Sequence, residues 1–95
     1  MSIFDNNETD LLIKALISIA NEDECKKFLE DIMTAKEIID LSQRLEVAKM
    51  LKDNQPYAVI CEETGASSAT ISRVNRCFVY GNGGYRQTLE KIEKM

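Results

Sequence analysis

The 95-residue chain contains no histidine and no tryptophan, one proline, four glycines and three cysteines. Without imidazole it lacks the side chain that titrates near neutrality and most often serves as a general base. Glu62 and Glu63 are adjacent, so a helix would point them to different faces, and they make no catalytic dyad. Cys25, Cys61 and Cys77 form no CxxC pair, have no histidine with which to complete a zinc site, and sit beside no obvious activating group. No enzymatic activity and no metal are expected. Three widely spaced cysteines on apolar helical faces read as buried free thiols in a reducing cytosol.

Long hydrophobic runs are also missing. Nothing approaches the roughly 20 consecutive apolar residues of a membrane span. The N-terminus MSIFDNNETD has no basic stretch leading into an apolar one, as a secretory signal would. A cytoplasmic location follows as an expectation. Scarce glycine and proline, with long stretches of Leu, Ile, Ala, Lys and Glu, favour an all-α class. Ninety-five residues make a single small domain with a marginal core if it stands alone.

The net charge is −4, which excludes an undirected polybasic binder of nucleic acid. Its distribution is uneven. Residues 1–33 balance at −5, residues 34–65 at −2 and residues 66–95 at +3, the last through Arg73, Arg76, Arg86, Lys91 and Lys94. One basic edge on an otherwise acidic chain suits a DNA reader with a single DNA-facing side, and equally a solvated charged face.

Residues 1–8 read as a frayed polar lead. From Thr9 to about Ala20, Leu12, Ala15, Leu16 and Ile19 mark an amphipathic helix. Asn21 is a fitting N-cap, with Glu24 three residues on, for a second helix carrying Cys25, Phe28, Leu29 and Ile32. Neither can bury its stripe without a partner. Thr34-Ala-Lys-Glu37 is a capping box, with Met33 and Ile38 at the staple positions, and opens a long helix over 34–54. Ile38, Leu41, Leu45, Ala48 and Leu51 form its expected inward stripe; Ile39, Val47 and Met50 form a second. A small monomer has little with which to cover both. We expect a homodimer packed through residues 1–33, the alternative being a half-exposed surface.

Asn54-Gln55-Pro56 breaks that helix. Residues 56–80 then read as helix, turn at Gly65, and second helix, the spacing of a helix-turn-helix. Pro56 suits a first helical turn. Ala58, Val59, Ile60 and Cys61 give a small apolar face, Gly65 supplies the left-handed reversal, and Ser67 can cap the second helix. Ile71, Val74 and Phe78 face inward. The opposite face carries Ser68, Ala69, Thr70, Ser72, Arg73 and Arg76, small enough to enter a groove, with guanidinium groups for phosphates or guanine edges. Any two short helices around a glycine would share this pattern. Gly81–Gly84 stops the helix, and a last helix over 84–95 carries Tyr85, Leu89 and Ile92.

From Thr34 onward the chain resembles the tryptophan repressor family, in particular its YerC/YecD-type branch. The resemblance rests on Thr34, Glu37, Leu41 and Arg44 in the long helix. It rests also on the run Gly-Ala-Ser-Ser-Ala-Thr-Ile-Ser-Arg over 65–73, similar to the family's G-A-x-x-A-T-I-T-R, and on the glycine-rich turn with its last helix. It implies a six-helix, all-α, intertwined homodimer that binds an operator in double-stranded DNA with the 67–80 recognition helix of each subunit. It places Ser68, Ala69, Thr70 and Ser72 at operator-facing positions. Ala58, Val59 and Glu62 stand where the repressor has polar or basic residues touching the backbone, so the first motif helix should grip phosphates more weakly.

The resemblance further implies an effector site for L-tryptophan or another small carboxylate. Thr34, Arg44 and Arg73 align with pocket residues, and a guanidinium fork suits a carboxylate. Val74 replaces a glycine beside the indole, and Cys77 replaces a serine that helps hold the amino group. Arg44 and Arg73 could instead pair with Glu37, Asp40 or Glu46. Two functions remain in view: a sequence-specific transcriptional regulator, repressor-like, and a protein-interaction module on a helix-turn-helix scaffold.

Overall fold

The computed structural model describes residues 2–95 and is built of six helices: α1 (Asn7–Ser18), α2 (Glu22–Ile32), α3 (Ala35–Lys52), α4 (Tyr57–Thr64), α5 (Ser68–Tyr80) and α6 (Gly84–Glu93). No strand occurs among the described residues, and none of these helices is long and apolar enough to cross a membrane. The chain divides into two compact units, residues 1–35 and 36–95.

In the first unit, α1 starts two residues before the expected Thr9. Asn6 is its cap, the side-chain oxygen accepting from the Thr9 N–H at 2.9 Å, and Glu8 and Asp10 complement the positive end of the helix dipole. Asn21 caps α2 as expected, accepting from the Glu24 N–H at 2.9 Å. The Glu24 carboxylate reaches back to the Ala20 N–H at 3.0 Å, a capping-box arrangement displaced by one residue. No residue of α1 or α2 is buried. Leu11, Leu12, Ala15, Phe28 and Ile32 border one shared depression, while Leu11 and Ile17 remain 70% and 77% exposed.

The second unit holds the core. Val47 and Ala48 of α3, Ile60 of α4, Ala66 of the turn, Ile71 and Val74 of α5 and Leu89 of α6 are buried together, with Met50, Leu51, Cys61, Phe78 and Tyr85 packed around them. The inward side of α3 therefore draws on both expected stripes, Ala48 and Leu51 from the first and Val47 and Met50 from the second. Leu41 and Leu45 of the first stripe are 38% and 43% exposed, whereas Val47, assigned to the second stripe, is fully buried. Apolar residues surround much of this helix, so periodicity alone left its inward face undecided. The thiols also differ from expectation: all three cysteines are free, but Cys25 and Cys61 are half-buried and Cys77 is exposed.

α3 ends in a Schellman motif. Asn54 adopts φ +59°, its N–H donates to the Leu51 carbonyl, and the Gln55 N–H donates to the Met50 carbonyl. Pro56 lies just outside α4 rather than within its first turn. Lys52 of α3 donates to Glu93 of α6 at 2.9 Å. That hydrogen bond, aided by the surrounding acids, raises the Lys52 pKa above the ordinary lysine value. Arg86 stacks 4.4 Å over the Phe78 ring, joining α6 to α5.

Candidate nucleic-acid interface and adjoining cavity

The angle between α4 and α5 is set by a short, fully bonded turn. Gly65 takes φ +74°, and its N–H donates to the Cys61 carbonyl. Thr64 uses its hydroxyl twice, donating to the Ile60 carbonyl at 2.7 Å and accepting from the Ala66 N–H at 3.1 Å. Gln43 of α3 donates to the Thr64 carbonyl at 3.2 Å, so the long helix holds the end of α4. Ala66 drops into the core, and Ser67 caps α5 by accepting from the Thr70 N–H at 3.1 Å.

α5 is thereby fixed along one side and open along the other. Ile71 and Val74 are buried. Ser68, Ala69, Ser72, Arg73 and Arg76 are all exposed, as a groove-reading face requires. Thr70 departs from this group: it is half-buried, and its oxygen accepts from the Ser67 hydroxyl at 3.1 Å. On α4, Ala58, Glu62 and Glu63 are exposed and Val59 is half-buried, leaving that surface without a cation for phosphates.

A cavity of about 220 Å³ opens between α3 and α5, lined by Asp40, Gln43, Arg44, Thr70, Arg73 and Val74. It is smaller than the roughly 300–1,000 Å³ of pockets for drug-sized ligands. Three of the residues aligned with an effector site, Arg44, Arg73 and Val74, thus meet here. Val74, 2% exposed, belongs to the core as well, and its isopropyl group forms apolar wall. Cys77 lines a different depression, with Leu45, Gly81, Asn82, Gly84, Tyr85 and Thr88. Thr34 belongs to the first unit, directly before α3. Neither Arg44 nor Arg73 takes part in any ion pair among the described residues, while Asp40 pairs with Lys36 at 3.1 Å.

Asp40, Gln43 and Thr70 were not anticipated as cavity residues. For Asp40 a signal existed, because it precedes Arg44 by four residues and shares its helix face. Gln43 and Thr70 reach the cavity only through the packing of α3 on α5.

These features define an all-α helix-turn-helix protein. The family model described as Trp repressor protein matches residues 7–93. The chain belongs to the Trp repressor family, a family of DNA-binding regulators rather than of enzymes. It is 46% identical over 87 residues to the uncharacterised protein YerC of Bacillus subtilis strain 168, covering 92% of this chain and 84% of that protein. The crystal structure of a TrpR-like protein from Eubacterium eligens ATCC 27750 superposes with a TM-score of 0.91 at 47% identity, covering 95% and 93% of the two chains. A crystal structure from Staphylococcus aureus gives 0.90 at 41% identity, covering 98% and 96%.

Proposed function

We propose that this chain is a sequence-specific transcriptional regulator, repressor-like and cytoplasmic, that binds operator DNA as a homodimer through α5 of each subunit. One observation carries the reading. α5 is seated by Ile71 and Val74 with a capped N-terminus, and its free face offers Ser68, Ala69, Ser72, Arg73 and Arg76 to a groove. Dimerisation is supported by the apolar surface left uncovered in one chain. Leu11, Ile17, Ile39, Leu41 and Leu45 are exposed by between 38% and 77%, side chains that a partner subunit would cover. In a two-fold dimer the recognition helices would read half-sites about 34 Å apart.

The cavity beside α5 is the effector site of this reading, taking L-tryptophan or another small carboxylate on Arg44 and Arg73. Arg73 is both exposed on α5 and part of the cavity wall. A ligand that engages its guanidinium therefore changes the side chain offered to DNA.

The test is enrichment of randomised duplex DNA on the purified protein at about 150 mM salt, with and without L-tryptophan. A palindromic sequence enriched only with tryptophan is expected of a tryptophan-gated regulator. The same sequence in both conditions means a constitutive reader or another effector. No enriched sequence in either condition refutes DNA reading. The acidic outer face of α4, with Glu62 and Glu63 exposed, would then favour a protein-interaction module, and affinity capture should return one dominant protein partner.

A further inference from the structure

An asparagine can modify itself when the amide nitrogen of the next residue attacks its Cγ and closes a five-membered imide. Closure is favoured where the asparagine side chain is free to turn back and the next N–H is free to lose its proton. It is favoured further where the next residue has no Cβ to block the approach. Of the six asparagines, only Asn82 is followed by glycine. Asn6 and Asn21 also spend their side-chain oxygens capping α1 and α2. Asn7 and Asn75 lie within helices, and Asn54 precedes Gln55, whose N–H donates to the Met50 carbonyl. Asn82 and Gly83 are exposed between α5 and α6. Neither the Asn82 side chain nor the Gly83 N–H has a hydrogen-bond partner among the described residues.

From this geometry we infer that Asn82 is a site of spontaneous deamidation, which changes the joint between α5 and α6 as the protein ages. Solvent base removes the Gly83 amide proton, and the nitrogen forms a bond to Asn82 Cγ. The Cγ–Nδ2 bond breaks, and Nδ2 leaves as ammonia. Water then opens the imide. Opening at the Cγ carbonyl gives aspartate; opening at the main-chain carbonyl gives isoaspartate, in which the chain runs on through Cγ. The sequence of steps consumes water and releases ammonia, with no change of oxidation state. Either product adds one negative charge to residues 66–95, which balance at +3.

The two products act on α6 in opposite directions. Gly83 gives this helix no side-chain cap, and no acidic residue stands in its first turn. An aspartate just ahead of it supplies negative charge to the positive end of the helix dipole. Isoaspartate instead adds a carbon to the main chain before α6. Tyr85, packed on the core, and Arg86, stacked over Phe78, are nearest the insertion and are displaced first. Leu89, which anchors α6 in the core, follows one turn later.

The experiment is incubation of the full chain at neutral and at mildly alkaline pH. It is followed by released ammonia, by labelling with an isoaspartyl methyltransferase, and by the mass of the tryptic peptide 77–86, whose one asparagine is Asn82. The peptide should convert to a labelled form at a rate proportional to hydroxide concentration. Asn82→Gln should stay unlabelled, because the six-membered imide it would need closes far more slowly. Aged wild type should melt several degrees below fresh protein, whereas Asn82→Asp should melt no lower than fresh wild type. A peptide 77–86 that stays unmodified in the folded chain, while a synthetic peptide of the same sequence deamidates, overturns the inference. Earlier modification at Asn6 or Asn21 overturns it as well. Modified protein that melts with the fresh protein overturns the effect on α6 and leaves the site standing.

Discussion

Replacing Gly65 by alanine isolates the backbone term that sets the angle of α5. At φ +74° a residue with a Cβ carries the left-handed penalty of about 1–2 kcal/mol. A Cβ built there meets no heavy atom within 4 Å, so no collision adds to it. The lower entropy of the unfolded alanine chain offsets roughly 0.4–1 kcal/mol. A net loss of about 1 kcal/mol remains, or a fall of about 4–8 °C in melting temperature for a domain of this size. Asparagine tolerates the left-handed region, so Gly65→Asn should recover much of the loss. Gly81→Ala should behave differently: its φ of −81° carries no such penalty, but its Cβ would run into the Cys77 carbonyl oxygen. That collision is with backbone and cannot be relieved by a rotamer change. Gly84→Ala, which meets nothing, should be neutral or slightly stabilising. Thermal unfolding followed by circular dichroism decides the matter, at fixed protein concentration because self-association shifts the midpoint. A Gly65→Ala variant that melts with the wild type, or is no worse than Gly65→Asn, would refute the reasoning.

Ser67→Ala removes the oxygen that caps α5 and should cost about 1 kcal/mol by denaturant unfolding. Arg73→Ala with Arg76→Ala should weaken DNA binding and reduce the salt slope by about 0.9 for each phosphate the variant no longer neutralises; an unchanged slope means these arginines do not touch phosphate. Because the Lys52–Glu93 pair raises the Lys52 pKa in the folded state, its stabilisation is present below the usual lysine value of about 10.4 and disappears as pH rises through the folded value. Glu93→Gln should accordingly melt below the wild type at pH 7, with the difference vanishing once Lys52 is neutral.

Local bonds were legible in the chain, and so was the family. Asn21, Gly65 and Ser67 act on groups three or four residues away, so residue type and spacing suffice to predict them. Asn6 acts the same way, but its neighbours Asp5 and Asn7 are residue types equally able to cap. The run from Gly65 to Arg73 similarly carries its turn and its exposed polar face together, because both depend on the 3.6-residue period of one helix.

Distance along the chain marks what could not be read. The Lys52–Glu93 bond spans 41 positions, and no pattern in either helix announces it. Val47 rather than Leu41 or Leu45 is buried because α4, α5 and α6 cover that side of α3, and a helix apolar on several sides has no preferred face until its neighbours choose one. The meeting of Asp40 and Arg44 with Thr70 and Arg73 is of the same kind. By itself the sequence determined the six-helix plan, the caps of α2 and α5, the turn and the exposed polar face of α5, all of which rest on local stereochemistry. Only tertiary packing decided which side of α3 is core, and that Asp40 shares a cavity with two arginines.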